Sequence, residues 1–425
     1  MATQHFRLLA ALAVSVVAAL PASNAYASGC AVPKGNFALS LDVSSVCSYA
    51  SANTAQALFD NLSTSGLQSL GNNYTGTQVA TVNADFNSLM MYLAFPNAGS
   101  TGTGAQLVLT IPGLGVSQTF TGANRDASKE QLVDYLKHND ILGQIMKYQA
   151  ANSPTSPIAG TGGMLPNAVS SDFNQNFTDT ATRIASPTSA ASAASQNNIA
   201  PNLIGISLSY GSLTSLDDTI KVMTLPLSYT IRNDIDPRRQ LILSMPITQI
   251  DTNGAKSYNV ALGGAYRFPM NDNWTLTPSG KVSGVGSVDM ATVAGMYSLS
   301  LTSTYIWEFD SYDVSMGNML SYNKTMKFKS GDYAFDPDIQ STVLRNGVLF
   351  SQPVNWGGKK LSVEYSAIDT RYTGTKLYID NTQEFGVSVG TNKSAFSARS
   401  FLRGGLVYLH GKDTKGVTAN IGYWF

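Results

Sequence analysis

The chain has 425 residues, of which 13% are charged, and its 27 basic and 27 acidic side chains cancel to a formal net charge of zero. This balance excludes the basic surface expected of a nucleic-acid-binding protein. Soluble domains usually carry about 25% charged residues, and here Ser, Thr, Asn, Gly and aromatic residues replace the missing charge. This composition is typical of a β-barrel with lipid outside and a polar lumen inside.

Residues 1–27 have the features of a secretory signal. Arg7 supplies the positive charge, residues 8–20 form an apolar stretch, and Ala25-Tyr26-Ala27 is a small-residue cleavage pattern. The stretch is shorter than the roughly 20 residues that a transmembrane helix needs. No later apolar stretch reaches that length, so the sequence predicts that any membrane crossing is made by strands.

Two cysteines, Cys30 and Cys47, follow the predicted cleavage site. In an oxidising compartment an even count this close in sequence favours a disulfide, which contributes about 3 kcal/mol to stability. A lipoprotein signal is the alternative, because small residues precede Cys30, although the usual Leu three positions before the cysteine is absent.

A small α+β domain is predicted for residues 28–152. Residues 79–95 and 105–120 form two hairpins, the second turning at Pro112-Gly113. The helix that follows is capped by Asp126 or Ser128, with Gln131 completing a capping box, and it ends at Asn152. Such a segment is long enough to bury its own core. Residues 153–200 are rich in Pro, Gly, Ser and Ala and are predicted to be a linker or a lumen-threading segment.

Residues 201–425 alternate between apolar and polar side chains with a period of two. Leu301, Tyr305 and Trp307 share one face of a run, whereas Thr302 and Thr304 lie on the other. About twelve such runs occur, an even number as in bacterial single-chain barrels. The runs cover residues 203–211, 220–231, 239–249, 257–268, 273–284, 291–309, 311–326, 339–351, 359–371, 383–391, 399–411 and 416–425. The alternation slips in the second and eleventh runs, which fixes the count to within two strands.

A soluble β-sandwich also alternates, but two features favour a membrane barrel. The apolar faces end in aromatic residues, as interface girdles do, and the runs reach the length of a tilted spanning strand. The predicted fold is therefore mainly β, with a twelve-stranded antiparallel transmembrane barrel after the α+β domain. The turns at residues 269–272 and 352–358 are placed on a periplasmic rim, and the longer connections at 327–338 and 372–382 on an extracellular rim.

The last residues carry a resemblance to a known class. Ile421, Tyr423 and Phe425 alternate up to the C-terminus, and Gly422-Tyr423-Trp424-Phe425 resembles the signal of Gram-negative outer-membrane proteins that the barrel-assembly machinery reads. The size and layout of the barrel further resemble the translocator barrels of autotransporters, including solitary ones. This resemblance implies a location in the cell outer membrane, with lipid and the assembly machinery as partners. The N-terminal domain is then either periplasmic or exported to the cell surface, where it has a protein partner if it acts in binding.

The sequence offers little that resembles catalytic chemistry. His138 and His410 are the histidines beyond the predicted signal. The His-Asp-Ser-Asn-Gly pattern of outer-membrane phospholipases is missing, and an omptin-like protease needs a histidine with clustered aspartates. Neither zinc spacing nor a phosphate-binding loop is found. The sequence therefore predicts that the protein is not an enzyme and has no cofactor or metal.

Charged residues on the strand faces opposite the apolar ones are predicted to line the lumen. They are Arg267, Lys281, Glu308, Arg345 and Glu364. These charges either line a narrow aqueous channel or pair with one another and close it. The predicted function is accordingly a pore or an autotransporter-like translocator, for a small solute or for the protein's own N-terminal domain. The alternative is a non-conducting anchor or surface-display protein whose N-terminal domain or loops bind partners.

Overall fold

The computed structural model of the protein describes residues 29–71, 73–97, 104–138, 140–183, 202–233, 235–236, 238–330, 333–392 and 401–425. The predicted signal at residues 1–27 lies outside this part of the chain. Among the described helices, none is both long enough and apolar enough to cross a membrane.

The N-terminal domain is built on a six-stranded antiparallel sheet in the order β2-β1-β3-β4-β5-β6. Its strands are β1 (Phe37–Val43), β2 (Val46–Ala52), β3 (Ala80–Phe86), β4 (Leu89–Phe95), β5 (Ala105–Ile111) and β6 (Val116–Gly122). Its helices are α1 (Ala55–Asn61), α2 (Thr64–Leu70), α3 (Arg125–His138) and α4 (Ile141–Asn152). The two predicted hairpins are present as β3–β4 and β5–β6.

One face of this sheet and the helices form an apolar core. Leu107 and Leu109 alternate along β5 and are buried, and they belong to the same cluster as Leu132 of α3 and Ile145 of α4. The alternation in each strand therefore selects which side chains meet the helices. The α+β interpretation of this region is confirmed.

The predicted single helix is two helices, and its predicted cap is wrong. The chain breaks at Asp140, which has a positive φ of 57°. Asn124 caps α3, since its Oδ1 accepts from the Ala127 amide at 2.8 Å. Ser128 is instead buried against the ends of β5 and β6, where its hydroxyl donates to Ala105 O and accepts from the Gly122 amide at 3.0 Å. Tertiary contacts thus displace the capping box that local spacing suggests.

Residues 202–425 form a closed twelve-stranded antiparallel barrel, as predicted, in which the last strand pairs with the first. Its strands are β7 (Asn202–Ser215), β8 (Asp218–Arg232), β9 (Gln240–Thr252), β10 (Ala255–Pro269), β11 (Trp274–Ser287), β12 (Thr292–Glu308), β13 (Asp313–Met326), β16 (Gln340–Trp356), β17 (Lys359–Gly374), β18 (Asn381–Thr391), β19 (Phe401–Gly411) and β20 (Thr414–Trp424). A small hairpin, β14 (Phe328–Ser330) and β15 (Tyr333–Phe335), lies in the connection between β13 and β16.

The barrel has two different rims. The base rim holds the start of β7, the C-terminal Phe425 and the turns between β8 and β9, β10 and β11, β12 and β13, β16 and β17, and β18 and β19. The domain rim holds the other turns and the β14–β15 hairpin. The two turns predicted for the periplasmic side, residues 269–272 and 352–358, lie together on the base rim. The two longer connections predicted for the extracellular side, 327–338 and 372–382, lie together on the domain rim.

The N-terminal domain packs on the domain rim. The Ala55 amide donates to Asp289 O at 2.7 Å, and the Tyr378 amide donates to Ala150 O at 2.8 Å. The side chain of Lys147 in α4 pairs with Asp338 at 2.9 Å. These contacts place the domain over one mouth of the barrel.

Candidate functional site in the barrel lumen

A helical segment occupies the lumen between the domain and the base rim. It consists of α5 (Met164–Phe173), a π-helical turn (Asn174–Thr178) and α6 (Asp179–Arg183). We call it the lumen helix. At about 1.5 Å per residue it is about 30 Å long, close to the hydrocarbon thickness of a bilayer. It falls within the segment that the sequence predicts to be a linker or to thread the lumen.

Two aromatic side chains fix the lumen helix to one side of the barrel. Phe173 and Phe177 are fully buried, with ring centroids 5.0 Å apart. They lie against Gly317 of β13 and Gly347 of β16, where a Cβ would come within 2.4 Å and 3.0 Å of the rings. The barrel wall therefore has glycines where the helix needs space.

Lys281 links β11 to the middle of the lumen helix. Its ammonium lies 2.6 Å from the Asp172 carboxylate, with the two side chains 1% and 5% exposed. It also donates to the Ser171 hydroxyl at 3.1 Å. An ion pair this buried loses its water, so removal of either partner leaves an uncompensated charge.

The side chain of Arg267 binds a backbone carbonyl of the lumen helix. Its guanidinium donates to Gln240 Oε1 at 2.5 Å and to Gln175 O at 2.6 Å. The π-helical turn begins at Asn174, next to this contact. Gln175 is the second residue of this turn, so the wall arginine binds a carbonyl inside the π-helical turn.

Arg345 and Arg403 make the remaining charged contacts of the lumen. Arg345 forms two contacts of 2.9 Å with the Glu384 carboxylate, and its guanidinium lies 5.1 Å from the Phe173 ring centroid. Arg403 pairs with Glu364 and donates to Thr182 O at 3.4 Å. Each ion pair thus reaches across one strand of the wall, from β16 to β18 and from β19 to β17, and each arginine contacts the lumen helix.

Of the five residues predicted to line the lumen, Arg267, Lys281 and Arg345 contact the lumen helix. Glu364 pairs with Arg403, which also contacts it. The fifth residue does not lie in the lumen. Glu308 is the last residue of β12 and is exposed at the base rim. This corrects the expectation for Glu308. It shares the inward parity of Thr302 and Thr304, but it lies where the strand leaves the wall.

Among the charged lumen residues that sequence reasoning missed are Asp172, Glu384 and Arg403. Asp172 lies in a segment whose Pro, Gly and Ser content suggested a linker. The spacing of Leu165, Val169, Phe173 and Phe177 by four residues is the signal that could have revealed a helix there.

The lumen also contains a cavity beside the lumen helix. It has a volume of about 380 Å³ and lies between the polar face of the lumen helix and the opposite wall. Ser171 and Gln175 of the helix face it, as do Ser244 and Asn420 of the wall. Near the domain rim, the chain that leads into the lumen is held by two side-chain hydrogen bonds, from Ser153 to Asn87 at 2.8 Å and between Thr161 and Thr414 at 3.2 Å.

The other predicted residues lie outside the lumen. Cys30 and Cys47 are joined by a disulfide, which ties the segment before β1 to the edge strand β2. Ile421, Tyr423 and Phe425 are half-exposed on the outer face of the barrel at the base rim. The Phe425 amide and carbonyl both bond to Ile204, which completes the last pairing of the barrel.

The outer wall carries an apolar belt with aromatic residues concentrated at the base rim. Leu262 and Leu299 are 62% and 60% exposed. Tyr305 and Trp307 pack together near the base rim, as do Tyr423 and Phe425. Within the described residues, no group of three or more His, Cys, Asp or Glu side chains is placed to hold a metal.

Comparison with solved structures finds likenesses to outer-membrane barrels. No family model and no curated protein matches the chain. The β domain of the Bordetella autotransporter Brka is 11% identical, with 53% of this chain and 99% of that one covered and a TM-score of 0.42. The translocator domain of autotransporter NalP from Neisseria meningitidis is 12% identical, with 62% and 97% covered and a TM-score of 0.42. An outer-membrane channel from Pseudomonas putida F1 is 11% identical, with 53% and 95% covered and a TM-score of 0.38.

Proposed function

We propose that the protein is an autotransporter-like outer-membrane barrel that anchors its own N-terminal domain on the outer side of the membrane. The observation that carries this proposal is the path of the lumen helix. The chain leaves the domain at Ser153, enters the barrel at the domain rim, and reaches Thr182 beside Arg403, near the base rim. The domain and the first barrel strand are therefore joined through the lumen.

The orientation follows from the C-terminus. Ile421, Tyr423 and Phe425 form the assembly signal that the sequence resembles, and they lie at the base rim. Bacterial barrels have their longer loops on the extracellular side, and the longest connection between barrel strands, residues 327–339, lies on the domain rim. With the base rim in the periplasm, the domain rim and the N-terminal domain face outward.

Membrane residence is supported by the outer wall. Exposed Leu, Val and Ile side chains cover it, while Ser, Thr and charged side chains are buried inside. Exposed apolar surface of this extent is unfavourable in water, at about 25 cal/mol per Å², and favourable against lipid.

Epitope insertion on intact cells tests this proposal. One epitope is placed in the exposed Ser44-Ser45 turn of the domain, and its matched control in the exposed Gly357-Gly358 turn of the base rim. We expect antibody to label the first on intact cells and the second only after the outer membrane is permeabilised. Labelling of the base-rim epitope alone on intact cells would show that the barrel has the opposite orientation. Recovery of the protein in the soluble periplasmic fraction would exclude the proposal.

A pore for small solutes is the second candidate, and the cavity beside the lumen helix is the observation that favours it. The buried ion pairs of the lumen and the packing of the N-terminal domain over one mouth of the barrel favour the anchor instead. Planar-bilayer recording of the full-length wild type distinguishes the two. Stable single-channel steps would support the pore, and a silent bilayer containing correctly folded protein would support the anchor.

A further inference from the structure

The outer wall contains an apolar groove near the domain rim. Its volume is about 570 Å³, and its lining includes Leu262 of β10, Val282 and Gly284 of β11, Gly295 of β12, Met326 of β13 and Lys327. The side chains of Val282 and Leu262 are 54% and 62% exposed. The groove runs from the rim, where Gly295 pairs with Met326, to the deeper pair Leu262 and Val282.

The protein itself does not fill this groove. A Cβ at Gly284 would meet nothing closer than a backbone oxygen at 4.0 Å, so packing within the chain does not require a glycine there. Met326 lies over Gly295, where a Cβ would come within 2.7 Å of its methyl carbon. The groove is thus a depression in the apolar outer surface of the barrel, with the flexible side chain of Met326 at its edge.

Two lysines lie beside the groove: Lys327 lines its rim end, and Lys324 lies on the adjoining outer wall, two residues below Met326. Lys324 is on the same face of β13 as Met326 and opposite Tyr297 of β12. Lys327 follows at the rim and is 63% exposed, with its ammonium 3.2 Å from Asp336. An exposed ion pair contributes about 0–1 kcal/mol, so Lys327 can exchange this partner for another anion. A lysine at this height extends its charge to the headgroup layer while its stem lies along apolar surface.

We propose that this groove binds one acyl chain of an anionic, phosphate-bearing lipid, with Lys324 and Lys327 contacting its phosphate. The combination of apolar groove and cationic end matches an acyl chain joined to a phosphate. A second copy of this chain is a poorer occupant, because a two-fold contact sets groove against groove and lysines against lysines. The inference rests on the proposed membrane location.

Native mass spectrometry of the full-length protein in detergent tests it. Phosphatidylglycerol and phosphatidylcholine with the same acyl chains are added in parallel. We expect one phosphatidylglycerol to be retained per protein, and phosphatidylcholine to be retained much less. Gly284→Phe should abolish retention because it fills the groove. Lys324→Gln with Lys327→Gln should weaken retention about thirtyfold, because each lysine near an anionic lipid surface contributes about 1 kcal/mol.

Gly404→Phe is the matched control, because Gly404 also lies on the outer wall and a Cβ there would be in ordinary contact, 3.6 Å from Asn420 O. It should retain the lipid as the wild type does. Equal retention of the two lipids, unchanged retention in both groove variants, or displacement of the lipid by inorganic phosphate alone would each overturn the proposal. The lysine variant keeps the test decisive if Gly284→Phe does not fold. Failure here with correct epitope labelling would leave the anchoring function intact.

Discussion

The sheet of the N-terminal domain and the wall of the barrel use the same alternation of side chains but bury opposite sets. In β5 the buried residues are Ala105, Leu107, Leu109 and Ile111. In β12 they include Ser300, Thr302 and Thr304, whereas Leu299 and Leu301 on the other face are exposed. A period of two therefore identifies a strand, and the chemistry of the buried set indicates whether water or lipid lies outside.

The largest effect is expected where the barrel interior holds charge. Arg345→Glu places a carboxylate beside Glu384 in a side-chain environment that is 2% exposed. We expect the free energy of unfolding in detergent to fall by about 3–5 kcal/mol or more, as for other broken buried pairs. The variant Arg345→Glu with Glu384→Arg should recover part of this loss.

Arg371→Glu is the control for that substitution. Arg371 pairs with Asp369 on the outer face, at 70% and 35% exposure, and exposed pairs contribute about 0–1 kcal/mol. Equal losses at Arg345 and Arg371 would mean that the lumen is filled with water. The barrel interior would then be less dry than its buried ion pairs indicate.

A slightly smaller effect is expected in the domain core. Leu107→Ala should cost about 2–5 kcal/mol, because it leaves a cavity among packed apolar side chains. Leu262→Ala on the outer wall should cost less, since lipid fills the vacated space. Separate chemical-denaturation transitions of the domain and the barrel in the full chain would measure both. A larger loss at Leu262 would contradict an outward-facing apolar belt.

Packing of the lumen helix gives the third prediction. Gly317→Leu drives a side chain into the Phe177 ring, and such overpacking costs about 1–3 kcal/mol. We expect a lower heat-modification midpoint in gel electrophoresis and faster proteolysis of the lumen helix. Gly404→Leu, on the outer wall, should change neither. If the Gly317 variant matches the wild type in both assays, the lumen helix is not held by Phe177.

Much of the barrel could be predicted from sequence because its inward and outward faces differ in polarity. β12 is the clearest case. β19 was harder, since Val407 and Leu409 face the cavity although they are apolar. Apolar residues therefore occur on both faces, and Arg403 was not recognised as inward.

The partners of the lumen charges could not be predicted for a different reason. The pairing of Lys281 with Asp172 joins residues more than one hundred positions apart, and it depends on a helix inside the barrel. Likewise, β1, β2, α1 and α2 were not identified. The strand β2 is at the sheet edge, and its side chains are exposed or only partly buried, so its sequence carries little core signal.

The smallest predicted effect concerns an acidic residue near the junction of domain and barrel. Asp85 accepts from the Ser88 amide at 2.7 Å in the β3–β4 turn. Burial raises the pKa of the Asp85 carboxyl, and the nearby Asp218 carboxylate raises it further. A raised pKa in the folded state means that ionisation of Asp85 is unfavourable. Its contribution to stability is therefore fully present below its ordinary pKa and is lost as pH rises through the raised value.

Asp85→Asn keeps the oxygen that accepts from Ser88 and removes the ionisation. We expect the variant and the wild type to have equal denaturation midpoints for the domain at about pH 4, near the ordinary pKa, and the variant to become the more stable of the two as pH rises to 7. Asp42→Asn is the matched control for the turn, because Asp42 accepts from the Ser45 amide at 2.9 Å in the β1–β2 turn. If the Asp85 variant is less stable than the wild type at pH 7, the carboxylate stabilises the junction, and the domain–barrel contact then depends on charge more than on burial.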